Sequence, residues 1–115
     1  MVFVEVLKKD ELVDGGLKMV DIDGHEYLVA RVGEEFMVSD NRCPHMGGDL
    51  SKGVLEGTVI TCPKHHSQFD LIDGHVIRWT DWKGLKLTAV KILKSPRNLK
   101  TYTVKVEGDK ILTDI

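Results

Sequence analysis

The chain predicts an all-β fold, an antiparallel sandwich or barrel. Short runs rich in β-branched and aromatic residues recur along it, and most are separated by turns that contain glycine. At 115 residues it reads as one domain, 1–115. A chain of this size buries roughly two-thirds of its unfolded surface, so a metal is not needed merely to offset a small core.

Each element has a local reason. Residues 2–7 alternate apolar and other side chains and read as a strand. Residues 8–16 are polar, end in Gly15-Gly16, and read as a turn or a single helical turn. Strands at 17–22 and 25–32 flank Asp23-Gly24, a strong two-residue hairpin signal. Gly33-Glu34 turns the chain into a strand at 35–39, which completes a meander.

The stretch 40–53 is too long and too glycine-rich for a hairpin turn and reads as a functional loop. Short strands at 54–55 and 58–61 surround Glu56-Gly57, and a second loop follows at 62–68. Strands at 69–72 and 75–78 are expected to pair over Asp73-Gly74. Residues 79–98 mix helical and alternating spacing and are left irregular. A strand at 101–107 turns at Gly108-Asp109 into a last strand at 110–113.

Bulk properties exclude several function classes. The net charge of −2 argues against broad nucleic-acid binding. The N-terminus has no basic region followed by an apolar run, and nothing approaches the ~18 apolar residues of a spanning helix. A soluble, cytoplasmic protein with no membrane partner is expected, where thiols stay reduced. From Lys83 to Lys105 every charged residue is basic. That run reads first as solvated strand faces; its alternative is a basic patch that steers an acidic partner.

The chemistry concentrates in two half-sites, Cys43-Pro44-His45 and Cys62-Pro63-Lys64-His65, with sixteen residues between them. Both cysteines of the chain lie here, each with a histidine close behind. Thiolate and imidazole together select zinc, copper or an iron–sulfur centre. Cys-x-His is too tight for one helix face and fits a loop. Each proline fixes its own φ and removes an N–H, which stiffens the turn. Three readings stand: core cysteines with incidental histidines, a tetrahedral zinc site, and a [2Fe–2S] cluster with two cysteines on one iron and two histidines on the other.

This pair of motifs resembles that of the Rieske iron–sulfur proteins, and the likeness continues through Ser67, Phe69 and Asp73-Gly74 and, more loosely, the flanking strands. The resemblance implies a Rieske-like sandwich with a small cluster-binding subdomain at about 40–78. It implies one [2Fe–2S] cluster per chain, Cys43 and Cys62 on the buried iron and His45 and His65 on the outer one. High-potential members carry a disulfide at positions matching Gly48 and Lys64, and a tyrosine at the position of Phe69. Ser67 matches their loop serine, a donor to sulfur, whereas Phe69 lacks the second donor. Fewer donors to sulfur mean a lower potential, so the chain looks like the low-potential bacterial or archaeal ferredoxins that serve oxygenases. His66 stands where the family usually has glycine, and 79–94 reads as an insertion.

The expected function is one-electron transfer from a reductase to an oxygenase or another redox enzyme, without catalysis by the chain itself. A Rieske oxygenase also needs a mononuclear iron site, and His25, His66 and His75 are too scattered to make one. The alternatives are a small Rieske-fold subunit of a reductase, such as that of nitrite reductase, and a zinc-binding structural module. Gly47 and Gly48 read either as close-approach positions near cluster sulfurs or as flexible loop residues. Pro44, Met46, Leu50 and Pro63 are expected to form an apolar collar around the ligands, a mixture of core lining and transient docking surface with Pro44 and Pro63 the more exposed. His25 and His75 read as solvated, and Trp79 and Trp82 as packing residues.

Overall fold

A computed structural model describes residues 2–44, 47–64, 66–79 and 97–115. Among these, three antiparallel sheets carry the fold. The first has the order β1-β11-β10, from β1 (Phe3–Lys8), β10 (Val104–Glu107) and β11 (Lys110–Asp114). The second, β2-β3-β4-β9, is built from β2 (Leu17–Ile22), β3 (His25–Val32), β4 (Glu35–Asp40) and β9 (Thr101–Tyr102). The third, β5-β6-β7-β8, comprises β5 (Val54–Glu56), β6 (Val59–Thr61), β7 (Gln68–Asp70) and β8 (Val76–Arg78). The all-β expectation holds, and no helix among the described residues is long and apolar enough to cross a membrane.

The meander β2–β3–β4 forms as the sequence predicts. Asp23 and Gly24 adopt φ of 53° and 85°, the two left-handed residues that a type I′ turn requires. The Gly24 N–H donates to the Asp21 carboxylate at 3.0 Å, and the register runs from Ile22 opposite His25 to Leu17 opposite Ala30.

The middle sheet separates two cores because strand side chains alternate between faces. Leu28 and Ala30 of β3 pack with Leu50, Ile60, Phe69, Leu71, Trp79 and both cysteines. Tyr27 and Val29 face the other way, onto Leu7, Leu12, Phe36, Val38 and Ile111. Each fully buried Leu, Ile or Phe contributes roughly 1.5–3 kcal/mol.

Two expectations need correction. Strands 69–72 and 75–78 shorten to β7 and β8, joined by residues 71–75 rather than by a two-residue turn. The chain turns on Asp70, whose carbonyl accepts from the Gly74 N–H at 2.6 Å and whose carboxylate accepts from the Ile72 N–H at 2.9 Å, while the Leu99 N–H holds the Gly74 carbonyl at 2.8 Å. The strand expected at 101–107 is two strands. β9 pairs with β4, and β10 pairs with β11, so the chain changes sheets at Thr103. The Thr103 carbonyl is taken by the Asp114 N–H and the Thr113 hydroxyl. A 3₁₀ turn at Lys9–Glu11 fills the expected helical turn, and a second, at Leu50–Lys52, was not foreseen.

Candidate metal centre

The first loop leaves β4 through Asn41, a fully buried polar residue with no counterpart in the sequence expectations. Its backbone N–H donates to the Glu26 carbonyl at 3.1 Å and its carbonyl accepts from Leu50 N–H at 2.9 Å. Its amide donates to Asp49 at 2.8 Å and accepts from Ser51 N–H at 2.9 Å. One side chain thus ties the start of the loop to its end. Asp49 caps the second 3₁₀ turn, and the backbones of Arg42 and Asp49 pair in an isolated antiparallel bridge across the neck. Burial acts to raise the Asp49 pKa, but donors from the Ser51 hydroxyl, the Asn41 amide and the Ser51 N–H outweigh it and hold it below the ordinary value.

The second loop spans β6 and β7, whose register closes at Thr61 opposite Gln68. Its internal bonds repeat those of the first. The Cys43 N–H donates to Gly48 O at 2.8 Å, and Gly47 N–H donates back to Cys43 O at 2.8 Å. The Cys62 N–H donates to Ser67 O at 2.8 Å, and His66 N–H donates back to Cys62 O at 3.1 Å. In both loops the residue four after the cysteine is left-handed, Gly47 at φ 71° and His66 at φ 60°. His66, which stands where the family usually has glycine, therefore carries a strained backbone. Histidine tolerates this region better than most side chains, and Arg78 Nε donates to the His66 carbonyl at 3.0 Å.

The two loops meet at Gly48. A Cβ added there would lie 2.5 Å from Cys62 Sγ, 3.2 Å from Lys64 Cβ and 3.8 Å from Cys43 Cβ. Only a bare backbone fits against the Cys62 sulfur, which decides for close approach at this residue. The same distances make positions 48 and 64 spatial neighbours, as their match to a disulfide pair requires. Cys43 and Cys62 are each 2% exposed and belong to one core cluster. His45, Met46 and His65 lie outside the described residues, as do Trp82, 80–96 and most of the expected insertion.

The remaining site expectations divide. Of the collar, Leu50 is fully buried core lining, whereas Pro44 is half-buried and Pro63 exposed, the mixture expected. Ser67 is buried and its hydroxyl donates to the Trp79 carbonyl, so a bond to a sulfur would require its single proton to leave Trp79. Phe69 is fully buried and meets Trp79 edge to face, ring centres 6.5 Å apart. His25 and His75 are about half-exposed and contact carboxylates, Asp40 at 2.7 Å and Asp73 at 2.6 Å.

An antiparallel fold that presents two like-closed cysteine loops over one buried core defines a class. The chain belongs to the family of the Rieske [2Fe-2S] domain, whose model matches residues 2–103. It is 30% identical over 115 residues to the ferredoxin component of a naphthalene 1,2-dioxygenase system from Pseudomonas putida, covering 98% of this chain and 95% of that one. It is similar in structure to the ferredoxin of carbazole 1,9a-dioxygenase from Nocardioides aromaticivorans IC177, with 28% identity, a TM-score of 0.79 and coverage of 98% and 97%. The Sphingomonas yanoikuyae B1 ferredoxin superposes with a TM-score of 0.77 at 26% identity, covering 97% of each chain.

Proposed function

We propose that this chain is a soluble, cytoplasmic one-electron carrier that accepts electrons from a reductase and passes them to an oxygenase. Family membership supports a [2Fe–2S] cluster, and the ferredoxin components among its relatives support the carrier role. The observation that carries the reading is the pair of like-closed loops that bury Cys43 and Cys62 around the bare backbone of Gly48.

In this proposal the chain holds one cluster through Cys43, His45, Cys62 and His65, with residues 40–78 as the cluster-binding part of a single domain. Bound there, such a cluster supplies one-electron chemistry at about −150 to +300 mV. The residues make that range accessible. Two neutral imidazoles in place of thiolates remove two negative charges, which favours the reduced state. Burial of both sulfurs excludes water from the soft ligands, and stiff proline turns hold them without reorganisation. Phe69 offers no donor to sulfur, which supports a potential at the low end of the range. Reduced thiols are what the ligand role needs, and the cytoplasm maintains them.

The test is spectroscopic. The purified protein is expected to absorb visible light and, once reduced, to give an EPR signal of low average g-value, the mark of histidine ligation. A colourless protein with stoichiometric zinc would overturn the reading. Co-purification with a large reductase subunit would favour the subunit alternative.

A further inference from the structure

A cleft of about 720 Å³ opens beside the first loop, with Cys43, Pro44 and Gly47 at one end. Arg42, Arg97 and Lys100 line it, and all three are exposed. The Arg42 side chain lies along the loop itself: a Cβ on Gly47 would sit 3.7 Å from its Cδ and 3.9 Å from its Nε. Residues 97–100 are brought here by the Leu99 N–H, which donates to the Gly74 carbonyl at 2.8 Å.

The charges of the cleft are not balanced from within. Three cations face two carboxylates there, and the carboxylates take their hydrogen bonds from other groups: Asp40 accepts from the Tyr102 hydroxyl at 2.6 Å and contacts His25 Nε2 at 2.7 Å, and Glu26 accepts from the Asn41 amide at 3.4 Å. Among the described residues none of the three cations has a carboxylate within ion-pair distance. Five basic side chains elsewhere among the described residues do form ion pairs, Lys9–Glu34, Lys18–Glu11, Arg31–Glu34, Lys52–Asp49 and Lys105–Glu107. A chain of net charge −2 thus keeps a cleft with an excess of positive charge, and three cations outside any ion pair, beside one sulfur ligand loop. Guanidinium groups suit carboxylates because they bind them in a two-point fork.

We infer that the Arg42–Arg97–Lys100 cleft docks an acidic surface of the partner protein and brings it to the electron's exit. This rests on the cluster reading above, which colour and EPR establish first. Charge complementarity of this kind acts mainly on the rate of encounter and fades with salt.

The experiment follows re-oxidation of the reduced, loaded protein by stopped flow. One electron leaves the protein and reduces ferricyanide to ferrocyanide, or hexaamminecobalt(III) to cobalt(II). With ferricyanide the rate is expected to fall as ionic strength rises; with the cationic oxidant it is expected to rise. R42Q/R97Q/K100Q should slow ferricyanide about threefold or more at low salt with an unchanged visible spectrum. R97Q/K100Q, which leaves the neighbour of Cys43 untouched, should do so in part. Poly-L-glutamate, standing in for an acidic surface, should inhibit the wild-type reaction and spare the triple variant. A ferricyanide rate that rises with salt, a variant as fast as wild type, or inhibition by poly-L-lysine instead would overturn the proposal.

Discussion

A single methyl group at Gly48 is enough to test how closely the loops are matched. Gly48→Ala places a Cβ 2.5 Å from Cys62 Sγ, so the sulfur or the loop must shift. The expected outcome is a clear loss of visible absorbance per chain. Gly47→Ala is the contrast: its Cβ finds only ordinary contact with Arg42, so it bears the left-handed penalty of roughly 1–2 kcal/mol and keeps its colour. Equal loading of both variants would show that the first loop yields. Phe69 tests the electronics instead. Phe69→Tyr adds a hydroxyl within the core cluster that holds both cysteines, and a donor that reaches sulfur raises the potential. Voltammetry checks this; an unshifted potential with an intact cluster would show that the hydroxyl does not reach.

The loops depend on the elements that carry them. The Asn41 amide makes two of the bonds that close the first loop, to Asp49 and from Ser51, and its burial leaves no water to replace them. Asn41→Ala is expected to cost about 2–4 kcal/mol in urea unfolding. Asp49 adds a pH dependence. Its folded pKa lies below the unfolded one, so the folded state holds fewer protons. Its contribution is complete above about pH 4 and is lost as pH falls through the folded value. Glu11 and Asp73 are also lowered, each chiefly by a backbone N–H, so Asp49→Asn should remove only part of the acid slope. Melting curves between pH 6 and pH 3 measure it; an unchanged slope in the variant would show that Asp49 has no share.

What could be read from the sequence at this scale was local. Asp23-Gly24 states its own turn type, and β2 and β3 follow with the expected ends. The echo of Cys43 in Cys62 was visible as spacing, and the mismatch at His66 foretold its left-handed backbone. The ends of β7 and β9 were not legible, because the turn after Asp70 answers to Leu99 through Gly74, and Thr103 to the last strand. Asn41 was missed for the same reason. An asparagine before a loop is unremarkable until Glu26, Leu50 and Asp49 surround it. Its only sequence signal is Asp49, eight residues on, and that spacing has no local period.

Across the whole molecule, β3 belongs to both cores at once, with Leu28 and Ala30 on the loop side and Tyr27 and Val29 on the side of the terminal strands. Neither side can lose its packing while this strand stays in place, so the two should melt as a single cooperative unit. Ile111→Ala provides the check. The residue is fully buried in β11, it belongs to the core opposite the cysteines, and its truncation costs about 2–5 kcal/mol. Far-UV circular dichroism and visible absorbance should then shift to the same lower denaturant midpoint, whereas an unmoved bleaching curve would mean that the layers open separately. Through one shared strand, fading colour becomes a gauge of a sheet that holds neither cysteine.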